Sequence, residues 1–425
     1  FNDPIVFSNY GLILIHNNEK NNAIKLFKRL IELYPNNPDG YSRLGALYND
    51  INRTKEAEWN ICKAIEINPN NSTDHSNLGS ILIKNKKFKQ AEDSIRKAIE
   101  LNPNNHSAHS NLGLVLNQIS KTEEAELSVR KAIQLKNNFV DAYINLGNIL
   151  LDKGDVNESI NTFKKALTYQ PDNPKTLFGL FTCCDNINDA EKYLKKCLEK
   201  DNQNIKAKVF LASLKVHQKE SSLLNELIDS SIKDNSLIRS IKWVMSLDET
   251  PDLYFNRWSL FDKIIGIVNQ DRPFYEFGVW RGVSFKFLIN TFKKGYGFDT
   301  FDGLPEDWDS NIKKGTYSSD GIIPKIKGGT FIVGKFEDTL PKFFAKKRPM
   351  ASIINFDADL YSSTLCALKN TKGVIDQDTI LIFDEFFMND KWEQDEFKAL
   401  NEFCNDYGYA YDVEGVSFFS KQVAL

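Results

Sequence analysis

Glycine returns at a fixed interval through the first part of the chain: Gly11, Gly45, Gly79, Gly113 and Gly147 are each 34 residues apart. Other positions keep the same period. Small residues stand at Ala23, Ala57, Ala91 and Ala125, then Ser159, and larger apolar residues follow at Phe27, Ile61, Ile95, Val129 and Phe163. Ala64, Ala98, Ala132 and Ala166 come next, and Pro35, Pro69, Pro103 and Pro171 close most units. Such a pattern demands paired antiparallel helices. The small residues let two backbones approach, the larger ones fill between neighbouring pairs, and proline ends the second helix of a pair.

Period and pattern resemble the tetratricopeptide repeat, in five units over about residues 4–173. A degenerate sixth unit follows at about 174–203, with Phe181 where glycine is expected, and 204–218 reads as a cap. Such a solenoid presents a groove lined by the first helix of each pair. Asn77, Asn111 and Asn145 recur there, each two residues before the glycine of its unit, with Arg43 at the same place in an earlier unit. A side-chain amide donates and accepts at once, which suits an extended peptide backbone. The spacing resembles the asparagine ladder of the O-linked N-acetylglucosamine transferase repeats, which implies a peptide or protein partner. Self-association into a homo-oligomer through the groove is the alternative.

The length, 425 residues, implies two or three domains with room for a sizeable core. The net charge of −3 points to neither nucleic acid nor an anionic membrane surface as a partner. Apolar runs fall short of the roughly 18 residues of a membrane span. The chain opens on Phe1 without a visible signal peptide, and a removed leader stays an open alternative. The six cysteines have neither C-x-x-C nor zinc spacing, which suits reduced thiols in the cytoplasm. All five histidines precede residue 218, so chemistry in the second half must proceed without an imidazole base.

The expected division is a repeat domain over 1–219, a helical connector over 220–250 and a second domain over 251–425. In the connector, Leu223–Ile232 and Leu237–Met245 have helical apolar spacing. Tyr254–Val268 reads as a helix on the following sheet. Strands are expected at Pro273–Val279, Gly295–Asp299, Thr330–Gly334, Ala351–Phe356 and Thr379–Phe383. Helices are expected at Val283–Lys293, Thr339–Lys346, Ser362–Val374 and Lys391–Tyr407, with closing strands at Ala410–Val413 and Ser417–Lys421. Alternating β and α implies a mostly parallel sheet with helices on both faces, an α/β Rossmann-like domain.

Polar residues sit at the strand C-terminal ends, where ligands bind in such sheets. Glu276, Gly278 and Gly282 follow the first strand, Asp299 ends the second, Phe336, Glu337 and Asp338 follow the third, Asp357 and Asp359 the fourth, and Asp384 and Glu385 the fifth. All five groups should converge on one rim. A dinucleotide site wants G-x-G-x-x-G after its first strand. A carboxylate in that turn disfavours a pyrophosphate and suits a cationic, zwitterionic methyl donor. Asp299, 21 residues beyond Gly278, has the reach for ribose hydroxyls in either class. S-adenosylmethionine is favoured over NAD.

Five segments carry a more specific resemblance: Glu276-Phe277-Gly278-Val279-Trp280-Arg281-Gly282; Gly297-Phe298-Asp299-Thr300-Phe301-Asp302-Gly303-Leu304-Pro305; Gly334-Lys335-Phe336-Glu337-Asp338-Thr339-Leu340-Pro341; Phe356-Asp357-Ala358-Asp359-Leu360-Tyr361-Ser362-Ser363-Thr364; and Ile382-Phe383-Asp384-Glu385. In order, they resemble the motifs of the macrocin O-methyltransferase family, over about 250–421. The resemblance implies a class I S-adenosylmethionine-dependent methyltransferase with a mostly parallel seven-stranded sheet whose last strand inserts antiparallel. It implies methylation of a sugar hydroxyl on a natural product or glycan. Glu276, Gly278 and Gly282 would hold the methionine end, Asp299 the ribose, and Phe336 with Glu337 the adenine edge. Mg2+ would be held by Asp357, Asp384 and Glu385. Asp357 is the candidate ligand and base, with Asp359 as the alternative base. Two positions depart from the family pattern: Glu385 stands where a second Asp is usual, and Ser362 where Glu is usual. The polar stretch Asp302–Gly329, with Trp308 and Tyr317, reads as a substrate lid. Two rival functions are an interaction scaffold with an inactive methyltransferase fold, and a protein methyltransferase whose repeat groove delivers a peptide.

Overall fold

The computed structural model describes residues 3–119, 121–230, 235–308 and 312–425. By packing, the chain forms two compact units, 1–152 and 153–425.

The first unit is built of α1 (Pro4–His16), α2 (Lys20–Leu33), α3 (Pro38–Asp50), α4 (Thr54–Ile67), α5 (Ser72–Lys84), α6 (Phe88–Leu101), α7 (His106–Gln118), α8 (Thr122–Leu135) and α9 (Val140–Asp152). Asparagines set the starts of alternate helices: the side chains of Asn37, Asn71 and Asn105 each accept a backbone N–H in the first turn of α3, α5 and α7. The periodic glycines sit where helices touch. A Cβ on Gly45 would lie 2.7 Å from Ile61, and one on Gly11, Gly79 or Gly113 would overlap Phe27, Ile95 or Val129. Each of these partners is fully buried. Gly113→Ala is expected to lower stability by about 1–3 kcal/mol through overpacking against Val129, read as a lower urea midpoint of the helical circular-dichroism signal. An unchanged midpoint would remove the close-approach argument.

The second unit opens with α10 (Val156–Tyr169), α11 (Pro174–Thr182), α12 (Ile187–Lys200), α13 (Ile205–His217), α14 (Ser222–Ile228) and α15 (Ser236–Met245). The expected connector helix Leu223–Ile232 stops at Ile228 as α14, and the last two residues of the expected span, 231–232, lie outside the described residues. Next come β1 (Asp252–Tyr254), α16 (Arg257–Ile267), β2 (Phe274–Phe277), α17 (Val283–Ile289), β3 (Gly295–Asp299) and β4 (Gly329–Val333). The chain continues through α18 (Phe336–Phe344), β5 (Ile353–Phe356), α19 (Tyr361–Thr371), β6 (Ile380–Phe383), α20 (Glu396–Tyr407), β7 (Gly415–Ser417) and β8 (Gln422–Ala424).

One core joins these helices to the sheet, running from Leu177 and Phe181 through Phe210, Phe255 and Phe277 to Phe418. Phe181 fills the place of the expected glycine and packs edge-on against Phe255, and Asn256 donates to the Thr182 carbonyl. Repeat-like helices therefore pack with the sheet. The division by packing at 152/153 differs from the expected division at 219/220, which follows only where the repeat signature fades.

The sheet is mixed and has eight strands among the described residues, in the order β1-β7-β8-β6-β5-β2-β3-β4. The expectation of seven strands missed β1, three residues paired parallel to β7. The strands β4, β3, β2, β5 and β6 are parallel neighbours, and β8 lies antiparallel between β6 and β7. The closing hairpin is at 415–417 and 422–424, about five residues later than expected. Buried Val416, Val423 and Ala424 meet there, whereas 410–413 is not strand. α18 begins at Phe336, three residues before its expected start, and contains Pro341.

Four phenylalanines form a ladder across the parallel strands. Phe298, Phe277, Phe356 and Phe383 are in register, and their rings stack at centroid distances of 4.8, 5.5 and 4.7 Å. Cross-strand aromatic pairs hold register, and here they align the strand ends. The residues after these phenylalanines are Asp299, Gly278, Asp357 and Asp384.

Candidate active site

Strand order reverses between β2 and β5: β3 and β4 extend to one side, β6 to the other. The loops after β2 and β5 thus part at a topological switch point, where open α/β sheets leave a crevice for ligands. Gly278 lies at the base of this crevice with φ +86°, and a Cβ there would overlap the carbonyl oxygen of Asp357. Its glycine identity is thus dictated by the neighbouring strand as well as by any ligand. Gly282 precedes α17 with φ +73°, and a Cβ on it would meet Ile326 at 3.0 Å and Pro324 at 3.3 Å in the stretch 302–329.

Glu276 is fully buried, in register with Asn355 of β5 and Gly297 of β3. Ser284 Oγ donates to its Oε1 at 2.9 Å, and its Oε2 has no hydrogen-bond partner among the described residues. Both polar atoms of the buried Asn355 amide lack a partner at hydrogen-bond geometry among the described residues, although the amide lies close enough to Glu276 to temper the effect of burial. Burial pushes the Glu276 carboxyl up to about 8.

The structure brings Glu276, Asp357, Asp359, Asp384 and Glu385 together on the rim and adds two acids that the sequence reading did not single out, Asp395 and Glu396. Burial is the main cause that raises Asp357 and Asp359 well above the usual carboxylate range. For Asp357 the Asp384 charge adds to it; for Asp359 the Glu385 charge does. Burial also raises Glu396 well above that range, and raises Glu385 and Asp395. Asp359 has φ +60°, an uncommon backbone for a non-glycine residue, as does Lys421 nearby with φ +67°. Two cations answer this charge. Arg257 Nη2 lies 3.2 Å from Asp384 Oδ2, and Lys421 Nζ reaches the two oxygens of Glu385 at 2.8 and 2.7 Å. Gln422 Nε2 donates to the other oxygen of Asp384.

These contacts qualify the expected metal ligands. The oxygen-only donor set is the chemistry that Mg2+ takes, and carboxylates outnumber the two cations. Among the described residues, however, no three acidic, histidine or cysteine side chains are arranged to hold an ion. Asp357 is the expected ligand for which no side-chain hydrogen bond is found among the described residues, whereas Asp384 and Glu385 are paired. Asp384 and Glu385 would have to exchange Arg257 and Lys421 for the metal.

Asp299 has a structural task. Its Oδ2 accepts the amides of Val279 (2.8 Å) and Trp280 (2.6 Å), and its Oδ1 that of Phe301 (2.7 Å), which shapes the turn after β2. Any ribose contact must share these oxygens. Phe336 is half-buried, with its ring edge-on to Phe277 at 5.6 Å. Glu337 is exposed and pairs with Lys335 at 3.5 Å.

The stretch 302–329 packs over this edge, with 309–311 outside the described residues. Trp280 Nε1 donates to the Ser318 carbonyl at 3.3 Å and its ring meets Tyr317 edge-on at 5.3 Å, which accounts for a tryptophan in the glycine turn. Trp308 Nε1 donates to Asp395 at 3.2 Å. Ser362 donates to the carboxylate of Glu306 at 2.6 Å.

In the first unit, the amides expected to bind peptide are partly engaged. Asn111 Nδ2 donates to Ser76, and Asn145 Nδ2 to Ser110 at 2.9 Å; Arg43 reaches Ser8 in the same way. The asparagines staple each repeat to the one before, which leaves their carbonyl oxygens as the groups to offer a peptide. Asn77 stands half-buried at the equivalent place in its own repeat. The signal for this ladder lay in the sequence, since Ser8, Ser42, Ser76 and Ser110 also recur every 34 residues.

Among the described residues no helix is long and apolar enough to cross a membrane. No curated protein matches the chain. Solved structures similar to it include pilF of Pseudomonas aeruginosa (18% identity, 49% of this chain and 96% of that one, TM-score 0.40). MamA (26% identity, 40% and 94%, TM-score 0.33) and a thermophilic TPR protein of Thermus thermophilus (18% identity, 46% and 100%, TM-score 0.38) are others. Family models described as tetratricopeptide repeat match residues 7–37, 26–58, 74–105, 95–126 and 140–173. The N-terminal part of this chain is an array of tetratricopeptide repeats.

Proposed function

We propose that the C-terminal α/β region is an S-adenosylmethionine-dependent O-methyltransferase that acts on a sugar hydroxyl with the help of Mg2+, in the cytoplasm. The repeats recruit a protein partner or carrier. The observation that carries this reading is the convergence of Glu276, Asp357, Asp359 and Asp384 at the switch point between β2 and β5. The antiparallel insertion of β8 between β6 and β7 also supports it, because it is the arrangement the family resemblance implies.

In this reading Glu276 meets the positive charge of the methyl donor from below, and Gly278 and Gly282 leave the turn open for it. The acceptor hydroxyl lies between the donor and the acidic rim. Its oxygen takes the methyl group from sulfur in line, S-adenosylhomocysteine leaves, and the hydroxyl proton goes to Asp357 or Asp359. A magnesium ion bound by Asp357, Asp384 and Glu385 would lower the hydroxyl pKa and fix its direction. Repeats of this type present extended binding surfaces, and a tethered carrier raises the local concentration of acceptor without altering the chemistry.

Calorimetric titration with S-adenosylhomocysteine tests the donor site, and binding is expected at micromolar concentrations, about −8 kcal/mol. Turnover should be lost with chelator and in Asp384→Ala, and return when Mg2+ is restored to the wild type. Full turnover with chelator present would remove the metal. A second reading, an interaction scaffold without turnover, is favoured by the cations already paired with Asp384 and Glu385. Absence of S-adenosylhomocysteine binding would decide for it.

A further inference from the structure

The sheet of the second unit ends on two edges that meet solvent differently. β1, at one end, has three residues, follows Pro251 and opens on exposed Asp252, with Lys263 Nζ 3.8 Å from that carboxylate. A short strand with proline and charge is how natural sheets refuse a further strand. β4, at the other end, has none of these devices. Gly328-Gly329-Thr330-Phe331-Ile332-Val333-Gly334 carries neither charge nor proline, and β4 pairs with β3 residue for residue, without a bulge, from Gly329 to Val333. Thr330 is exposed, and so is Val333, by 49%.

The bonds at the two ends of β4 fix which of its backbone groups are spare. The Gly328 carbonyl accepts the Gly295 amide, and the Gly334 amide donates to the Asp299 carbonyl. Backbone direction alternates along a strand. Thr330 and Ile332 therefore face β3, and Phe331 and Val333 turn their N–H and C=O groups outward. Those groups have no hydrogen-bond partner among the described residues, and no strand lies beyond β4 there. The outward Gly329 amide is already taken, by the Ile326 carbonyl. Water can satisfy such groups, but an unbroken, uncharged edge with spare donors and acceptors is a template for another strand.

We propose that β4 pairs antiparallel with β4 of a second copy of this chain, across a two-fold axis. Phe331 of each copy then lies opposite Val333 of the other, and each such pair exchanges both of its backbone hydrogen bonds. A contact of this symmetry must be complementary to itself, and the charges flanking β4 make it so. Exposed Lys325 and Lys327 precede the strand; exposed Glu337 and Asp338 follow it, with Lys335 between. Antiparallel pairing sets the basic start of each strand beside the acidic end of the other, whereas parallel pairing would set like charges together. The contact is small, so the dimer is weak and depends on concentration. It is independent of the proposed methyl transfer and of the repeat groove.

Sedimentation velocity on the full chain tests the pairing, and hydrogen exchange locates it. The chain should pass from monomer at about 1 µM to mostly dimer at about 100 µM, with a dissociation constant on the order of 10 µM. Over that range exchange of the Phe331 and Val333 amides should slow about fourfold. Val333→Pro removes an outward N–H, and an edge strand accepts proline. It should stay monomeric at about 100 µM, with Tm within about 3 °C of the wild type. Lys327→Glu, which leaves the backbone untouched, should weaken the dimer about fivefold, and adding Glu337→Lys should restore it. A wild type that stays monomeric throughout would overturn the self-pairing. A dimer whose Phe331 and Val333 amides exchange as in the monomer, or one that persists in Val333→Pro, would place the interface elsewhere and overturn it too.

Discussion

Glu276→Gln should make the protein more stable at alkaline pH while it weakens the proposed methyl-donor site. Glu276 is fully buried, and its carboxyl titrates near 8 instead of its usual 4.5. Below pH 4.5 the group is protonated in both folded and unfolded chains and contributes no pH dependence. Between 4.5 and 8 the unfolded chain has lost the proton and the folded chain keeps it. Folding then takes up a proton, and stability falls by about 1.4 kcal/mol per pH unit. Above pH 8 both are ionised and the full cost, about 5 kcal/mol, is present. Glutamine keeps an acceptor for Ser284 and carries no charge, so this decline should vanish. The expected difference in Tm between variant and wild type is near zero at pH 5 and on the order of 10 °C at pH 9, read by scanning calorimetry. Parallel pH profiles for the two proteins would mean that Glu276 is not the buried acid described here.

The functional half of the same prediction follows from charge. A cationic donor must draw Glu276 into its ionised form, so at pH 7 binding should release a proton. Calorimetry in buffers of different ionisation enthalpy reads that proton directly. Glu276→Gln should abolish the release and weaken S-adenosylmethionine by about 10²-fold or more. A variant that is more stable yet bound less well would be the usual trade of stability for function at a strained site.

Gly278→Ala should be among the most damaging small substitutions in the second unit. At φ +86° an L side chain is strained, and its Cβ would overlap the backbone carbonyl of Asp357. The obstacle is backbone, so no rotamer change relieves it, and the ends of β2 and β5 must separate. The expected loss is about 3–5 kcal/mol, with S-adenosylhomocysteine binding lost as well. Gly282→Ala is the control. At φ +73° it meets the side chains of Ile326 and Pro324, which can give way, so about 1–2 kcal/mol is expected. Equal effects at the two glycines would mean that backbone conformation alone, and not the approach of β5, governs this turn.

Much of the fold was legible in the chain, and the reason lies in what is local. The 34-residue period, the order of strands and helices and the placement of acids after strands are patterns along the sequence, set by steric and hydrophobic preferences of near neighbours. Elements supported by short apolar runs were harder. The closing hairpin was expected five residues early because Ala410, Tyr411 and Val413 resemble a short strand, and only pairing selects Gly415–Ser417 beside β1 and Gln422–Ala424 beside β6. β1 is three residues long and exists because β7 offers it an edge. Phe181 stands where glycine was expected because its ring fills the space between Phe210 of α13 and Phe255 beside the sheet.

The rim was legible as a set of carboxylates, but the partner of each was not. Sequence spacing could nominate Asp299 for a ribose and Asn111 and Asn145 for a peptide, yet backbone amides and serines of the preceding repeat claim them first. The phenylalanine ladder that levels the strand ends was written four times, as Phe277-Gly278, Phe298-Asp299, Phe356-Asp357 and Phe383-Asp384, and becomes visible only when the strands are laid side by side. By itself, then, the sequence determined that a helical repeat precedes an α/β sheet with an acidic edge, because periodicity and alternation are properties of neighbouring residues. Tertiary structure alone decided which acids are buried, paired or left without a donor. Arg257 reaches Asp384 across 127 positions and Lys421 reaches Glu385 across 36, and charge and hydrogen bonding depend on distance in space.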